Sequence, residues 1–430
     1  AWGAGNIKSV NLKNAKNVTD DILRIYAKAI NISNATTADL SDINLSPNVT
    51  SLNGLFSNMT KLKNVNLSGL DISHITDMGG MFSGDSNLES LDLSGLDLSK
   101  VTNTNNMFDQ GGGKNIKSVN ITNTKSIPRS ILDIYLKALS NAGTKTIDLS
   151  GINLSPNVTS LHGLFSNMTK LKSVNLSGLD ISHITDMSGM FSNDTSLKSV
   201  NLSGLNLEKV KDLSNMFYGA NNLDNVDFSN TTFAPDPNTN SMFSYADYNI
   251  KSVNLKNAKN VTDDILRIYA KAINISNATT ADLSDINLSP NVTSLNGLFS
   301  NMTKLKNVNL SGLDISHITD MGGMFSGDSN LESLDLSGLD LSKVTNTNNM
   351  FDQGGGKNIK SVNITNTKSI PRSILDIYLK ALSNAGTKTI DLSGINLSPS
   401  ITSFNKLFSN MPNIESIDLT GWDTGNITDM

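Results

Sequence analysis

The chain has 430 residues, of which 37% are hydrophobic and 17% are charged, and its net charge is −5 at pH 7. This near-neutral balance, without a basic block, argues against nucleic acid and anionic membrane as partners. Because there is no cysteine, disulfides and cysteine-ligated metal sites are excluded, and no apolar stretch reaches the ~18 residues of a membrane span.

A leucine-rich pattern, L-x-x-V-x-L-x-x-L-x-[IL], first seen complete from Leu62 to Ile72, recurs along the chain. The residues equivalent to Val65 are 16 anchors about 27 residues apart, within the period of leucine-rich repeats. Apolar and polar residues alternate around each anchor, which predicts a short strand with one buried face. The anchors are Val10, Ala38, Val65, Leu91, Val119, Ile147, Val174, Val200, Val226, Val253, Ala281, Val308, Leu334, Val362, Ile390 and Ile417.

The second half of each coil has apolar residues at helical spacing. Residues 48–62 carry a one-sided apolar stripe of this kind. In every third or fourth coil the sequence predicts a stronger helix. One spans 17–31, with Thr19 as the cap, and another spans 126–141, with Pro128 in the first turn. We therefore expect helices or short turns on the side of each coil opposite the strand.

These elements predict an α/β repeat, a right-handed leucine-rich-repeat-like solenoid of about 16 coils with one short parallel strand each. Residues 6–156 recur unchanged as 249–399, and identity at solvent positions indicates a recent segmental duplication. The chain starts abruptly at Ala1-Trp2 and stops within a repeat, so we expect 1–430 to be one continuous solenoid cut from a longer protein. Its internal units are 6–114, 115–248, 249–357 and 358–430.

No set of residues resembles a catalytic centre. Three of the four histidines precede the same Ile-Thr-Asp-Met motif, where other coils carry Lys or Asn. We therefore interpret this as a surface position that tolerates different residues. The aspartates of that motif recur from coil to coil and are candidate ligands of a ladder of metal ions. The preference of carboxylates for helix N-termini explains them without a metal. The sequence thus predicts no enzyme, no metal and no cofactor. These histidines are His74, His183 and His317, and the aspartates are Asp77, Asp186, Asp320 and Asp429.

A polar residue follows each anchor. Stacked parallel strands bring these side chains to within ~4.8 Å of one another, in a column along the sheet. One interpretation is a solvated, hydrogen-bonded ladder; the other is a polar groove for carbohydrate or an extended peptide, although the column lacks aromatic platforms. We call these residues the polar column: Asn66, Asp92, Asn120, Asp148, Asn175, Asn201 and Asp227.

Segment 194–248 lies outside the large duplication and is rich in tyrosine. Phe217 and Phe243 align with Phe191 at steps of 26 residues, so we expect them in the core. The tyrosines that should point outward are candidate ligand-binding residues, because tyrosine is enriched at interfaces. The alternative is an irregular coil whose tyrosines only cover the solenoid. These candidates are Tyr218, Tyr245 and Tyr248.

Three runs carry a family resemblance: Ile-Thr-Asp-Met-Gly-Gly-Met-Phe at 75–82, Leu-Glu-Ser-Leu-Asp-Leu-Ser-Gly at 88–95, and Leu-Thr-Gly-Trp-Asp-Thr-Gly-Asn-Ile-Thr-Asp-Met at 419–430. They resemble the BspA-like leucine-rich repeat surface proteins of lactobacilli, other low-GC bacteria and mollicutes. Trp422 matches the family's tryptophan, where most coils here have Leu. The resemblance implies a wall-attached cell-surface protein involved in adhesion, and it supplies no ligand.

Two functions follow from array and resemblance together. The first is the repeat region of a bacterial adhesin that binds a host surface protein or glycan, or a ligand on a neighbouring cell. The second is a stalk that displays a distal binding domain, because copy number sets reach. In either case we expect a monomer outside the cell, without membrane insertion, whose signal and anchor lie outside this fragment.

Overall fold

A computed structural model describes residues 7–430 of the protein. Ala1-Trp2 and the start of the first internal unit at residue 6 lie outside the described residues. The chain divides into two compact units, one that ends at Leu197 and one that spans Lys198–Met430. The single continuous solenoid stays a prediction.

Three-residue strands form around the anchors. Within residues 7–430, fifteen anchors, from Ala38 to Ile417, are the middle residue of such a strand, whereas Val10 lies in no strand. Two further strands, each of two residues, were not predicted. The strands are β1 Thr37–Asp39, β2 Asn64–Asn66, β3 Ser90–Asp92, β4 Ser118–Asn120, β5 Thr146–Asp148, β6 Ser173–Asn175, β7 Ser199–Asn201, β8 Asn206–Leu207, β9 Asn225–Asp227, β10 Thr232–Phe233, β11 Ser252–Asn254, β12 Thr280–Asp282, β13 Asn307–Asn309, β14 Ser333–Asp335, β15 Ser361–Asn363, β16 Thr389–Asp391 and β17 Ser416–Asp418.

The strands pair in parallel from one coil to the next. In the first unit β1, β2, β3 and β4 form one sheet and β5 pairs with β6. In the second unit β7 pairs with β9 and β9 with β11, β12 to β15 form a sheet, and β16 pairs with β17. Each anchor lies opposite the anchor of the neighbouring strand; Val65, for example, pairs with Leu91. The structure therefore confirms a leucine-rich-repeat-like solenoid of about 16 repeats.

Helices form where the sequence predicts the stronger ones. Thr19 occupies the N-cap position of the first, although its side chain makes no capping hydrogen bond. Pro128 precedes the second helix as its N-cap residue and does not lie in the first turn as predicted. Among the described residues the helices are α1 Asp20–Ile32, α2 Arg129–Asn141, α3 Asp263–Ile275 and α4 Arg372–Asn384.

The short coils are built from turns, one of the two alternatives expected on this side of each coil, and residues 48–62 form no helix. The N–H groups of Leu52, Gly54, Phe56 and Asn58 donate to carbonyls of the following coil, those of Asp77, Gly79, Met81 and Ser83. Those donors are therefore not available for a helical ladder within the coil. The N–H groups of Leu55, Ser57 and Met59 donate to carbonyls three residues back, which closes successive turns.

Stacked phenylalanines run through the core beneath these turns. The rings of Phe56 and Phe82 are 6.0 Å apart, and those of Phe82 and Phe108 are 5.4 Å apart. In the second unit Phe217 and Phe243 are buried and stack at 5.1 Å, in the core as their spacing predicts. Each coil thus buries its apolar side against its neighbours, which is how a repeat array gains stability.

Candidate functional site

Two of the three candidate tyrosines, Tyr218 and Tyr245, contact each other in the second unit, and Tyr248 follows Tyr245 by three residues; we call the three the tyrosine patch. The ring of Tyr218 meets that of Tyr245 edge-on, with 5.2 Å between ring centroids. Tyr245 is 60% exposed and Tyr248 is 68% exposed, whereas Tyr218 is half-buried. The patch therefore presents a large aromatic surface to solvent. The alternative role, in which the tyrosines only cover the core, does not require this exposure.

Local sequence explains how the first two tyrosines reach the surface. Each lies in the turn that follows a buried phenylalanine, and Tyr218 stands where the preceding coil has Ser192. Tyr245 has a φ of +63°, the left-handed conformation. The equivalent residues Asn193 and Gly219 share that conformation, with φ values of +61° and +71°. Tyrosine adopts it at a higher cost than either of those residue types.

Tyr248 contacts helix α3. The Nζ of Lys271 lies 4.9 Å from the centroid of the Tyr248 ring, a cation–π geometry. The same ammonium forms an ion pair with Asp247. Lys271 thus connects the tyrosine patch to the face of α3 that meets the preceding coil.

A cleft of about 260 Å³ lies between α3 and the coil at 239–247. The hydroxyl of Thr239 donates across it to the carboxylate of Asp264. Arg267 pairs through Nε with Asp263 at 2.8 Å. The polar residues that line the cleft include Thr239, Ser244, Asp247, Asp264, Arg267 and Lys271.

The polar column is a ladder of capped turns. In every member, the side-chain Oδ1 accepts a hydrogen bond from the backbone N–H two residues later, at 2.8–3.1 Å. The Asn120 amide also donates to Asp92 in the neighbouring strand at 3.1 Å. The bond from the Ser150 N–H holds the pKa of Asp148 below its usual value. These bonds support the hydrogen-bonded-ladder interpretation, because the oxygens are already engaged by their own coils.

The aspartate of Ile-Thr-Asp-Met does not start a helix, so that interpretation is corrected. Asp77 accepts hydrogen bonds through Oδ1 from the Gly79 N–H at 2.9 Å and from the Asn103 amide at 2.7 Å. It therefore caps a turn and joins two coils. Within residues 7–430 no group of three or more His, Cys, Asp or Glu side chains could hold a metal ion.

The histidines before that motif are half-buried, and not plain surface residues as interpreted from sequence. Within the described part of the chain, their Nε2 atoms are buried without a hydrogen-bond partner. His162, in another position, contacts the Ser188 hydroxyl at 2.8 Å through Nδ1. The Ser188 hydroxyl also donates to the Asp186 Oδ1 at 2.6 Å, so this contact belongs to the turn that Asp186 caps. The half-buried histidines are His74, His183 and His317.

Three buried carboxyls were not singled out by sequence reasoning. Asp85 has no exposed surface, and its Oδ1 accepts the Met59 N–H at 2.7 Å. Burial raises its pKa to about 7. Asp194 and Asp328 repeat this environment and this pKa. One signal could have found them: each lies 26 residues after a buried methionine, in the same column of the core.

The family follows from a model described as "Mycoplasma protein of unknown function, DUF285", which matches residues 21–134, 135–258, 263–375 and 379–430. The chain belongs to this family. No curated protein matches the sequence. Among the described residues, no helix is both long and apolar enough to cross a bilayer. The family and the repeat architecture together suggest a region that interacts with other proteins.

Several solved structures resemble the chain weakly. An internalin of Listeria monocytogenes is 15% identical with a TM-score of 0.34, and the match covers 85% of this chain and 82% of the internalin. A leucine-rich-repeat protein of Leptospira interrogans is 16% identical with a TM-score of 0.25, over 82% and 95% of the two chains. The Drosophila Toll–Spätzle complex matches at 16% identity and a TM-score of 0.35, over 93% of this chain and 58% of that one. Similarity at this level gives no information on what the family member described here binds.

Proposed function

We propose that this chain is the non-catalytic repeat region of a BspA-like bacterial adhesin, displayed outside the cell and acting as a monomer. It attaches to a host surface protein or glycan, or to a ligand on a neighbouring cell, through the tyrosine patch. The supporting observation is the exposure of Tyr245 and Tyr248, together with the contact of Lys271 of α3 with the Tyr248 ring. Interfaces favour exposed aromatic residues with charged residues at the rim.

The backbone of Tyr245 adds a second argument. Asn193 and Gly219 hold the left-handed conformation at equivalent positions, as do Gln110 and Gln353, and glycine or asparagine would do so here with less strain. An exposed residue in a strained backbone conformation is a reason to propose a function for its side chain.

The alternative is a stalk that carries a distal binding domain and binds nothing itself. The unchanged repetition of 151 residues favours it, since added copies lengthen the array without altering any surface. A second possible surface is the polar column, although its Oδ1 atoms already accept hydrogen bonds from their own turns.

Binding to an array of host glycans, mucins and matrix proteins separates the two functions. The test variant carries Tyr218→Ser, Tyr245→Asn and Tyr248→Ser, the first two of which restore residues found in neighbouring coils. The control variant carries Lys61→Ser, Lys170→Ser and Lys304→Ser, exposed positions late in the turns of other coils. We expect saturable binding by the unchanged chain and by the control, and at least a tenfold weaker affinity for the test variant.

Two results would count against this proposal. Binding that survives in the test variant would assign attachment to another surface, of which the polar column is the next candidate. A folded monomer that binds nothing would support the stalk.

A further inference from the structure

We infer that the cleft between α3 and the coil at 239–247 binds a neutral saccharide, with the tyrosine patch as the stacking surface at its mouth. This inference rests on the proposed function and names the ligand class. The cleft and the patch are contiguous, because Lys271 lines the cleft and lies against the Tyr248 ring.

The charges of the cleft favour a neutral ligand. Asp247 and Asp264 balance Arg267 and Lys271 among the lining residues. Asp247 is paired with Lys271, and Arg267 is paired with Asp263. Asp264 accepts a hydrogen bond from the neutral Thr239 hydroxyl, so these two ion pairs leave one carboxylate in the cleft, which disfavours an anionic partner. A sialylated or sulfated glycan would have to break one of these ion pairs to gain a counter-charge.

The polar groups suit a polyhydroxylated ligand. Sugar hydroxyls both donate and accept hydrogen bonds, and the cleft offers carboxylate acceptors, cationic donors and the hydroxyls of Thr239 and Ser244. Hydrogen bonds to charged groups are the stronger ones, which compensates for the water displaced from an open cleft.

The apolar groups suit the C–H face of a sugar ring. Tyr248 and Tyr245 present exposed rings next to the cleft, and such rings offer a flat apolar face with a polar tip. The cleft, at about 260 Å³, is slightly smaller than the ~300 Å³ at which drug-sized ligand pockets begin. It therefore fits one or two sugar units of a chain that continues over the tyrosine patch.

The duplication supplies a built-in control. Helices α1 and α3 have the same 13-residue sequence, DDILRIYAKAINI. Asp264 and Lys271 of α3 line the cleft and correspond to Asp21 and Lys28 of α1, which do not line it. Substitutions at matched positions therefore change the same helix, once beside the cleft and once away from it.

The experiment compares the whole chain with four single variants, Asp264→Asn, Lys271→Gln, Asp21→Asn and Lys28→Gln. The probes are immobilised neutral galactose-, glucose- and N-acetylhexosamine-terminated oligosaccharides, their sialylated and sulfated counterparts, and deglycosylated host matrix proteins. Saturation-transfer NMR with the free neutral sugars then reports which ring protons contact the protein. We expect neutral oligosaccharides to bind, with a tenfold or greater loss for the two α3 variants and less than a twofold change for the two α1 variants.

The other outcomes separate the two levels of the proposal. Binding restricted to sialylated or sulfated glycans, or equal losses in the α1 and α3 variants, would overturn the neutral-saccharide site. Tyrosine-dependent binding to deglycosylated proteins alone would overturn the saccharide and leave the adhesin proposal standing. A folded chain that binds neither glycan nor protein would overturn both.

Discussion

At the scale of single residues, Tyr245 combines exposure with a strained backbone. Its φ of +63° is a conformation that glycine and asparagine accept more readily. We therefore expect Tyr245→Asn to raise the free energy of unfolding by ~1 kcal/mol, because the strain is relieved and little buried contact is lost. Urea denaturation followed by circular dichroism measures this. Tyr218→Ser, at an unstrained neighbour, should give no such gain, and a destabilised Tyr245→Asn variant would contradict the argument.

The buried carboxyls make stability depend on pH. In the folded chain burial raises the pKa of Asp85, Asp194 and Asp328 to about 7, whereas an unfolded aspartate titrates near ~4. The folded state therefore binds these protons more tightly. Their contribution to stability is complete below pH ~4, is lost as the pH rises to about 7, and does not change further above that. Each carboxyl contributes on the order of 3–4 kcal/mol to this change.

Substitution tests this pH dependence directly. Alanine occupies the equivalent core position at Ala220, so Asp85→Ala, Asp194→Ala and Asp328→Ala should be tolerated together. We expect the triple variant to lose the fall in urea midpoint between pH 4 and 7. The exposed Asp42, changed to alanine, serves as the control and should leave that fall intact. A triple variant with the same pH profile as the unchanged chain would show that these carboxyls are not responsible.

At the scale of elements, identical helices differ in how they are covered. Ile265 of α3 is fully buried, whereas the equivalent Ile22 of α1 is 40% exposed. Ile265→Ala should therefore destabilise its unit by ~2–5 kcal/mol through lost burial and a cavity, and Ile22→Ala by ~1 kcal/mol or less. Chemical denaturation of the two variants measures the difference. Equal effects would mean that the coil at 239–247 does not pack on α3 as described.

The elements that the sequence predicts well are those decided within one coil. Val65 is flanked by polar residues on both sides and recurs at a fixed period, so its strand and register follow from alternation alone. The stripe at 48–62 does not by itself distinguish a helix from turns, because consecutive turns also repeat every three residues. The turns differ from a helix in their hydrogen bonds to the next coil, such as the one from the Phe56 N–H to the Met81 carbonyl. No pattern within residues 48–62 indicates this bond.

The candidate site also has one part that the sequence predicts and one part that it does not. The exposure of Tyr245 and Tyr248 could be predicted, because both lie in a segment that breaks the repeat and near core phenylalanines of known spacing. The cleft could not, since it exists only where α3 meets the coil at 239–247. In sequence Asp85 resembles an ordinary loop residue, and only its alignment with the buried Met59 indicates a core position.

At the scale of the whole molecule, the duplication is compatible with a combination of the proposed binding with reach. Most of the chain is copied without change, whereas the tyrosine patch and its cleft lie at the segment between the copies. Repeats supply a scaffold whose stability comes from neighbouring coils, and one irregular segment can then carry a site without disturbing the rest. Adhesion and spacing are compatible roles for one array under this arrangement.

The most direct measurement is photo-crosslinking from the proposed surface. A benzophenone amino acid replaces Tyr248 in one variant and Lys304, an exposed residue late in the turns of another coil of the same unit, in the other. Both are irradiated on mucin-coated and host-cell surfaces. We predict covalent capture of a surface glycoconjugate from position 248, with little from position 304. Equal capture from both positions, or capture from position 304 alone, would contradict the claim that the array attaches through its non-duplicated coils.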